Sequence, residues 1–233
     1  MYNSDAPVVS VLEAAPSARV SFIRNTYAHL AGAILAFIGL EYVILSTPLA
    51  EAIARTFLGG QYSWAIVLIA FMGISWVANW WASNMASPAL QYLGLSLFVV
   101  AEVIIFVPLL YIANAFHPGV IQQAAIVTLA LFAGLTATVF ITRKDFSFLG
   151  PILAIGGFVA LALIFLSIFI GFNLGILFVG VMIVFASGCI LYDTSKIMHH
   201  YHTDQHVAAS LSLFASVALL FWYILRLFMR FND

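Results

Sequence analysis

Hydrophobic residues occupy most of this chain in long runs, and short polar segments separate the runs. Seven of the runs approach or exceed the roughly 20 residues that a helix needs to cross a bilayer. They cover approximately Tyr27–Leu45, Trp64–Ala82, Leu90–Ile112, Val120–Ile141, Phe148–Ile170, Leu174–Tyr192 and Val207–Phe228. Turn-forming residues stand between them, for example Ser46-Thr47-Pro48 and Gly171-Phe172-Asn173. The pattern predicts seven membrane spans.

The spans are predicted to be helices. In lipid, the backbone N–H and C=O groups must pair within the spanning segment, which a helix achieves by itself. The runs also lack the alternation of apolar and polar residues that is typical of a membrane β-barrel. The predicted fold class is therefore an all-α membrane protein with seven transmembrane helices.

Composition supports this fold class and excludes several functions. Of the 233 residues, 64% are hydrophobic and only 7% are charged, whereas a soluble domain carries about 25% charged residues. The net charge of −1 gives no indication of nucleic-acid binding. No glycine-rich phosphate loop, Ser-His-Asp set or redox motif is present. We therefore expect neither an enzyme nor a bound cofactor.

The ends of the spans predict the domain organisation and the orientation. Residues Met1–Arg24 lack the apolar core of a signal peptide and are expected to form a mostly flexible cytoplasmic tail, followed by a transmembrane domain over residues 25–230. Basic residues near cytoplasmic span ends outnumber those outside. The tail and even-numbered loops carry Arg19, Arg24, Arg143, Lys144 and Lys196, against Arg55, Arg226 and Arg230 on the other side. The N-terminus is therefore predicted to be cytoplasmic and the C-terminus outside.

Four ionisable residues lie within or at the edges of the spans: Glu41, Glu102, Asp193 and Arg226. A charge at the bilayer centre costs at least several kcal/mol, so such residues are candidates for function. Glu102 is near the middle of its span and either lies on an ion pathway or is a neutral carboxyl bonded to a neighbouring helix. Glu41 and Arg226 are nearer span ends, where they either act in gating or at an interface, or reach the headgroups.

Asp193 ends the sixth apolar run and begins a polar, histidine-rich segment. It is either a helix-end residue in water or a carboxylate that lines a polar cavity, binds a cation and titrates. His202 and His206 would share one face of a helix and are weak candidates for metal ligands. No cysteine or HExxH pattern accompanies them, so an interfacial loop is the alternative.

Four segments resemble the Bax inhibitor-1 family, particularly its bacterial YccA-like branch. They are IRNTYAHLAGAILAF, TRKDFSFLGPIL, SGCILYDTSKIMHHYHTD and AASLSLFASVALLFWYILRLF. They occur in the family's order and extend from about Arg24 to Phe228, which is nearly the whole chain. The resemblance implies six helices around a central seventh, in a bacterial inner membrane.

The resemblance also implies a function and two site residues. Bacterial members of this family include a pH-sensitive calcium leak, in which two aspartates share a proton and close the pore. Asp193 matches the first aspartate, whereas Ser216 stands at the position of the second, and a basic latch in the second or third span is missing. The expected function is a pH-influenced leak for Ca²⁺ and protons, with Asp193, Ser216 and Glu102 on the pathway and Ca²⁺ as the transported ion.

The YccA-like branch implies an alternative without transport. Its members also have serine at the second position, and they bind and restrain the membrane AAA protease FtsH. On that basis the chain would be a modulator of FtsH, and its N-terminal tail and loops would make the contact. The sequence leaves both functions open.

Overall fold

The computed structural model describes residues 10–60 and 62–232, and these residues form an all-helical bundle. Its helices are α1 (Pro16–Leu45), α2 (Leu49–Leu58), α3 (Ser63–Ala82), α4 (Pro88–Phe116), α5 (Val120–Thr142), α6 (Leu149–Ile170), α7 (Gly175–His199) and α8 (His206–Phe231). Every helix except α2 is long and apolar enough to cross a membrane. The prediction of an all-α protein with seven membrane-spanning helices is confirmed.

Successive spans run in opposite directions, so the connections alternate between two ends of the bundle. The N-side holds the start of α1 and the connections 83–87, 143–148 and 200–205. The C-side holds α2, the connections 117–119 and 171–174, and the end of α8. Contacts within each end agree with this assignment, because the ring of Tyr62 lies 5.6 Å from that of Phe169 on the C-side.

The helices differ in how much of their surface is buried. α8 packs against α1, α3, α4, α5 and α7 and is the most buried span, but α4 is almost as enclosed. α6 packs mainly against α7 and is almost wholly exposed on its outer face. The arrangement of six helices around one central helix therefore stays a prediction.

Aromatic side chains fill the core between α1, α4 and α8. The ring of Phe106 lies 5.1 Å from Phe37 and 4.9 Å from Trp222, both edge-on. Phe214 contacts Phe98 in the same geometry at 6.1 Å. Edge-to-face pairs of this kind each contribute about 0.5–1.5 kcal/mol beyond the area that they bury. They hold α4 and α8 together along the bundle axis.

α3 and α4 approach each other closely because small residues face each other at their contact. A Cβ added to Gly94 of α4 would lie 2.5 Å from the carbonyl oxygen of Ala78 and 2.5 Å from the backbone nitrogen of Ala82. Small residues allow such backbone approach between membrane helices. Glycine is therefore required at position 94 for this packing.

The first helix begins earlier than the sequence predicted. α1 starts at Pro16, so residues 16–24 are helical, and the prediction of a flexible tail up to Arg24 is wrong over this stretch. Proline is favoured at the first turn of a helix because its missing N–H needs no partner there. Ahead of α1, the backbone N–H of Val11 donates to the carbonyl of Tyr201 at 2.9 Å. Residues 1–9 of the predicted tail lie outside the described residues.

Two further boundaries differ from those of the apolar runs. α2 was not predicted, because it is a 10-residue amphipathic helix too short to span a bilayer. α7 continues through Asp193 to His199 instead of ending at Tyr192. Hydrophobicity marks the part of a helix that lies in lipid, whereas a helix itself ends only where its backbone geometry changes.

Candidate functional site

A cavity of about 740 Å³ lies between α3, α4, α6, α7 and α8 and extends from the C-side past the middle of the bundle. Most of its wall is apolar and aromatic. Arg226 and Arg230 line it near the C-side end of α8, and Ala215 lines it about four turns deeper on the same helix. Cavities of this size and composition are common ligand or transport sites in proteins.

Glu102 lines this cavity at the middle of α4. The residue is only 7% exposed, and none of the described residues forms a hydrogen bond or an ion pair with it. The sequence left open that a neutral Glu102 carboxyl forms a hydrogen bond with a neighbouring helix. Among the described residues it forms none, so that alternative is wrong for them. An uncompensated charge at this depth is costly, so the carboxyl must be neutral or interact with what enters the cavity.

The C-side end of the cavity, called the mouth below, is basic. An Arg230 N–H donates to Oδ1 of Asn173 at 3.2 Å, and the same oxygen accepts the backbone N–H of Gly175 at 3.0 Å. Gly175 is the first residue of α7, so Arg230 lies beside the start of that helix. Arg226 is close enough to Arg230 for the two charges to repel each other. Arg226 thus lines the cavity, in addition to lying near a span end as the sequence indicated.

The structure brings together Asp193 and Ser216, which lie on different helices. The Ser216 hydroxyl donates to Oδ2 of Asp193 at 2.6 Å, and both residues are buried. The length lies within the range of an O–H···O hydrogen bond. Asp193 is therefore not a helix-end residue in water, and it joins α7 to α8.

Asp193 does not line the cavity, but its partner lies beside the cavity floor. Ser216 follows Ala215, which lines the deepest part of the cavity. On the N-side of Asp193, the ammonium of Lys196 lies 5.0 Å from the ring centre of Tyr201 and 5.3 Å from that of Tyr192. The charge of Lys196 also acts on the Asp193 carboxylate. Asp193 therefore does not share a cavity with Glu102, and the Asp193–Ser216 pair, called the barrier below, lies between the cavity floor and the N-side.

The remaining predicted site residues have other surroundings. Glu41 is 4% exposed, and neither of its carboxylate oxygens has a hydrogen-bond partner among the described residues, so the idea that it reaches the headgroups is wrong. His202 lies in the loop between α7 and α8, whereas His206 begins α8, so the two do not share a helical face. No three His, Cys, Asp or Glu residues converge on a metal position within residues 10–60 and 62–232.

A polar cluster on the N-side was missed by the sequence analysis. Asp145 accepts the Ser195 hydroxyl at 3.1 Å through Oδ1, and its Oδ2 lies 3.1 Å from Nε2 of His200. Partial burial favours the neutral carboxyl, but the hydrogen bonds from Ser147, Ser195 and His200 outweigh it and lower the pKa of Asp145 to about 2. The cluster ties the α5–α6 connection to the end of α7. Its members are about 50 residues apart along the chain, so no local pattern indicates it.

Comparison with known proteins places the chain in a family. A family model described as "Inhibitor of apoptosis-promoting Bax1" matches residues 19–233. Protein LIFEGUARD 4 of Arabidopsis thaliana is 32% identical over 223 residues, which is 91% of this chain and 86% of that protein. Bax inhibitor 1 of Schizosaccharomyces pombe is 28% identical over 222 residues, or 93% of this chain and 79% of the relative. An uncharacterized membrane protein of Vibrio cholerae is 32% identical over 124 residues, or 53% of this chain and 55% of the relative. The chain is a multi-pass membrane protein that belongs to the Bax inhibitor-1 family.

Proposed function

We propose that this protein is a gated leak pathway for cations and that the described arrangement is its closed state. The observation that carries the proposal is the position of Glu102, which is unpaired among the described residues and lines a cavity that opens on the C-side. A carboxylate at mid-membrane is expensive unless it serves ions or protons. The family resemblance, in which an acidic residue at the position of Asp193 gates a calcium leak, supports the same function.

The pathway would continue from the cavity floor past Ser216 and Asp193 to the N-side. Ala215 at the floor and Ser216 in the barrier are consecutive residues of α8, so the remaining distance is short. In the closed state, the hydrogen bond between Asp193 and Ser216 holds α7 against α8. Opening would break this bond and separate the two helices at that level. Protonation of Asp193 would weaken the bond, which makes the leak sensitive to pH.

The charges along the pathway favour protons over Ca²⁺ in this arrangement. Arg226 and Arg230 at the mouth repel a divalent cation about twice as strongly as a monovalent one. Glu102 can accept a proton, but one carboxylate supplies few of the six to eight oxygen ligands that Ca²⁺ takes. Ca²⁺ flux is therefore expected to be smaller than proton flux unless an anion neutralises the mouth.

We further propose that the N-side faces the cytoplasm of a bacterial cell and that the protein lies in the inner membrane. The N-side carries five of the eight basic residues, and this bias is typical of cytoplasmic ends. Protons entering from outside would then meet the cavity first and the Asp193–Ser216 barrier second.

The test of the leak is flux through the purified protein in liposomes loaded with a pH dye or a Ca²⁺ dye. Glu102→Gln should reduce proton flux about tenfold or more, because the mid-membrane acceptor is lost, while the fold is retained. Asp193→Asn should change the dependence of flux on pH. The control is Glu51→Gln, which removes an exposed carboxylate that pairs with Arg55 on α2. Equal flux in all three variants and wild type would argue against the pathway.

The alternative function, a modulator of FtsH without transport, has less support in the described residues. A protease that grips the N-terminus would have to pull Val11 away from the α7–α8 loop, where its side chain is fully buried. Deleting residues 1–9 and following the lifetime of the protein in cells with and without the protease tests this function separately. A longer lifetime only when the protease is present would favour it.

A further inference from the structure

The mouth of the cavity carries positive charge that the described residues do not neutralise. Two guanidinium groups lie there, those of Arg226 and Arg230. Arg230 bonds to Asn173, and Arg226 has no hydrogen bond or ion pair with a described residue. Of the described acidic residues nearest this end, Glu51 pairs with Arg55, and Glu41 is buried away from the cavity. Among residues 10–60 and 62–232, the mouth thus has an excess of positive charge.

The start of α7 adds to this charge. α7 has 25 residues and its first turn lies at the mouth, where Oδ1 of Asn173 accepts the N–H of Gly175. The amino-terminal end of such a helix carries about half a positive charge and favours anions. A guanidinium beside it, such as that of Arg230 next to Gly175, is unfavourable unless a negative charge lies nearby. The arrangement resembles an anion site without its anion.

The interior behind the mouth is apolar and elongated. The indole rings of Trp64 and Trp222 stack at 5.9 Å near the middle, and Phe71 and Phe178 line the wall. The cavity follows α8 from Arg230 down to Ala215, and fifteen residues of helix span about 22 Å. A hydrocarbon chain has this length and polarity, whereas a compact polar ligand would leave the deep part empty.

The cavity also borders the lipid phase. α3 and α6 both contribute to its wall, but these two helices pack sparsely against each other. Tyr62, directly before α3, contacts Phe169 of α6 near the C-side. A molecule already in that leaflet could pass between the two helices, with its head at the mouth and its chain inside.

We propose that this cavity binds a single-chain anionic amphiphile, whose carboxylate or phosphate head pairs with Arg226 and Arg230 and whose acyl chain lies along the stacked rings of Trp64 and Trp222 and extends towards Glu102. The observations that carry this are charge complementarity at the mouth, the buried unpaired Glu102 facing the interior, and the aromatic wall. A chain beside Glu102 requires that carboxyl to be neutral. The proposal does not rest on ion conduction. Either a free fatty acid or an anionic lysophospholipid satisfies it.

The experiment uses the two cavity tryptophans as reporters. Trp76, Trp80 and Trp81 lie outside the cavity and are replaced by Phe, which leaves Trp64 and Trp222 as the fluorescent residues. The full chain is reconstituted in phosphatidylcholine nanodiscs, and brominated probes quench the fluorescence on contact. The probes are brominated palmitic acid in its ionised form, brominated lysophosphatidylglycerol, and brominated hexadecanol as a neutral chain of the same length.

The expected result is saturable quenching by at least one of the two anionic probes, at a concentration about tenfold below that needed for the alcohol. Whichever anionic probe binds more tightly identifies the source of the ligand. Arg226→Gln and Arg230→Gln should each weaken the binding of that probe about tenfold. Arg55→Gln is the matched control on the same side of the membrane and should have no effect. Glu102→Gln should bind as tightly as wild type or more tightly.

Two results would overturn the proposal. One is quenching that grows in proportion to probe concentration without saturating, which indicates partition into the bilayer only. The other is equal affinity for acid, lysolipid and alcohol in the wild-type protein, a comparison that needs no arginine variant to fold. Binding is measured without ion flux, so the two proposals can fail separately. Saturable probe binding by a protein that shows no proton flux would refute only the leak. Proton flux through a protein that shows no saturable probe binding would refute only the amphiphile site.

Discussion

Replacing Ser216 by alanine tests whether Asp193 is held as a charged group inside the bundle. The Ser216 hydroxyl is the one described donor to this carboxylate, at 2.6 Å, and both residues are less than 10% exposed. The variant removes the donor and leaves the acceptor in place. The carboxylate then loses its bond while remaining buried.

The size of the effect depends on the charge of Asp193. Hydrogen bonds between neutral groups of membrane helices contribute about 0.6 kcal/mol on average. A bond to a charged group contributes about 1.5–3 kcal/mol. With Asp193 ionised, we expect Ser216→Ala to lower the free energy of unfolding by about 1.5–3 kcal/mol.

The assay is reversible unfolding in mixed micelles, with a double-mutant cycle that combines Ser216→Ala and Asp193→Asn. The matched control is Ser212→Ala on the same helix, whose hydroxyl lies 3.1 Å from that of Tyr201 in a neutral, partly buried pair. That control should cost about 0.6 kcal/mol. A cost for Ser216→Ala no larger than for the control, with a coupling energy near zero, would refute the reasoning.

Three further predictions concern the frame around the site. Above pH 3.8, the ordinary pKa of the Asp145 side chain, the hydrogen bonds to this carboxylate should give wild type a higher melting temperature than Asp145→Asn. Because the pKa in the folded protein is lowered to about 2, the difference should disappear as the pH falls towards about 2 and the carboxylate is protonated. A difference that does not depend on pH would contradict this. Gly94→Ala should destabilise the bundle by about 1–3 kcal/mol, because its Cβ would collide with the backbone of α3. Gly180→Ala, with nothing within 4 Å, should be nearly neutral in the same unfolding assay. Reporter proteins fused to the two ends of the chain should report opposite sides of the membrane, and the same side for both would exclude an odd number of spans.

The seven spans could be predicted because lipid imposes a simple requirement on the sequence. A segment in the bilayer must be apolar over about 20 residues, and that property is visible without the structure. The requirement says nothing about helices outside lipid. The short amphipathic α2 and the early start of α1 at Pro16 were therefore missed, and the sixth span was predicted to end at Tyr192, seven residues before α7 ends at His199.

The site could be predicted only in part, for a related reason. Glu102 and Asp193 were found because charge in an apolar run is costly and therefore informative. That Glu102 lines the cavity and Asp193 does not depends on how α4, α7 and α8 pack, and no local sequence pattern indicates this packing. The basic mouth arises because the end of α8 meets the start of α7, and Arg230 and Asn173 are far apart in the chain. Such contacts follow from the tertiary structure alone.

The most direct test of the central claim is proton flux through wild-type protein in liposomes, compared with empty liposomes and with Glu102→Gln. If the cavity is the outer part of a leak pathway, proton flux through wild type should exceed that of empty liposomes at some value between about pH 5 and pH 8, the range in which histidine titrates. Glu102→Gln should return the flux towards the level of empty liposomes. Wild-type flux equal to that of empty liposomes throughout this range would contradict the account.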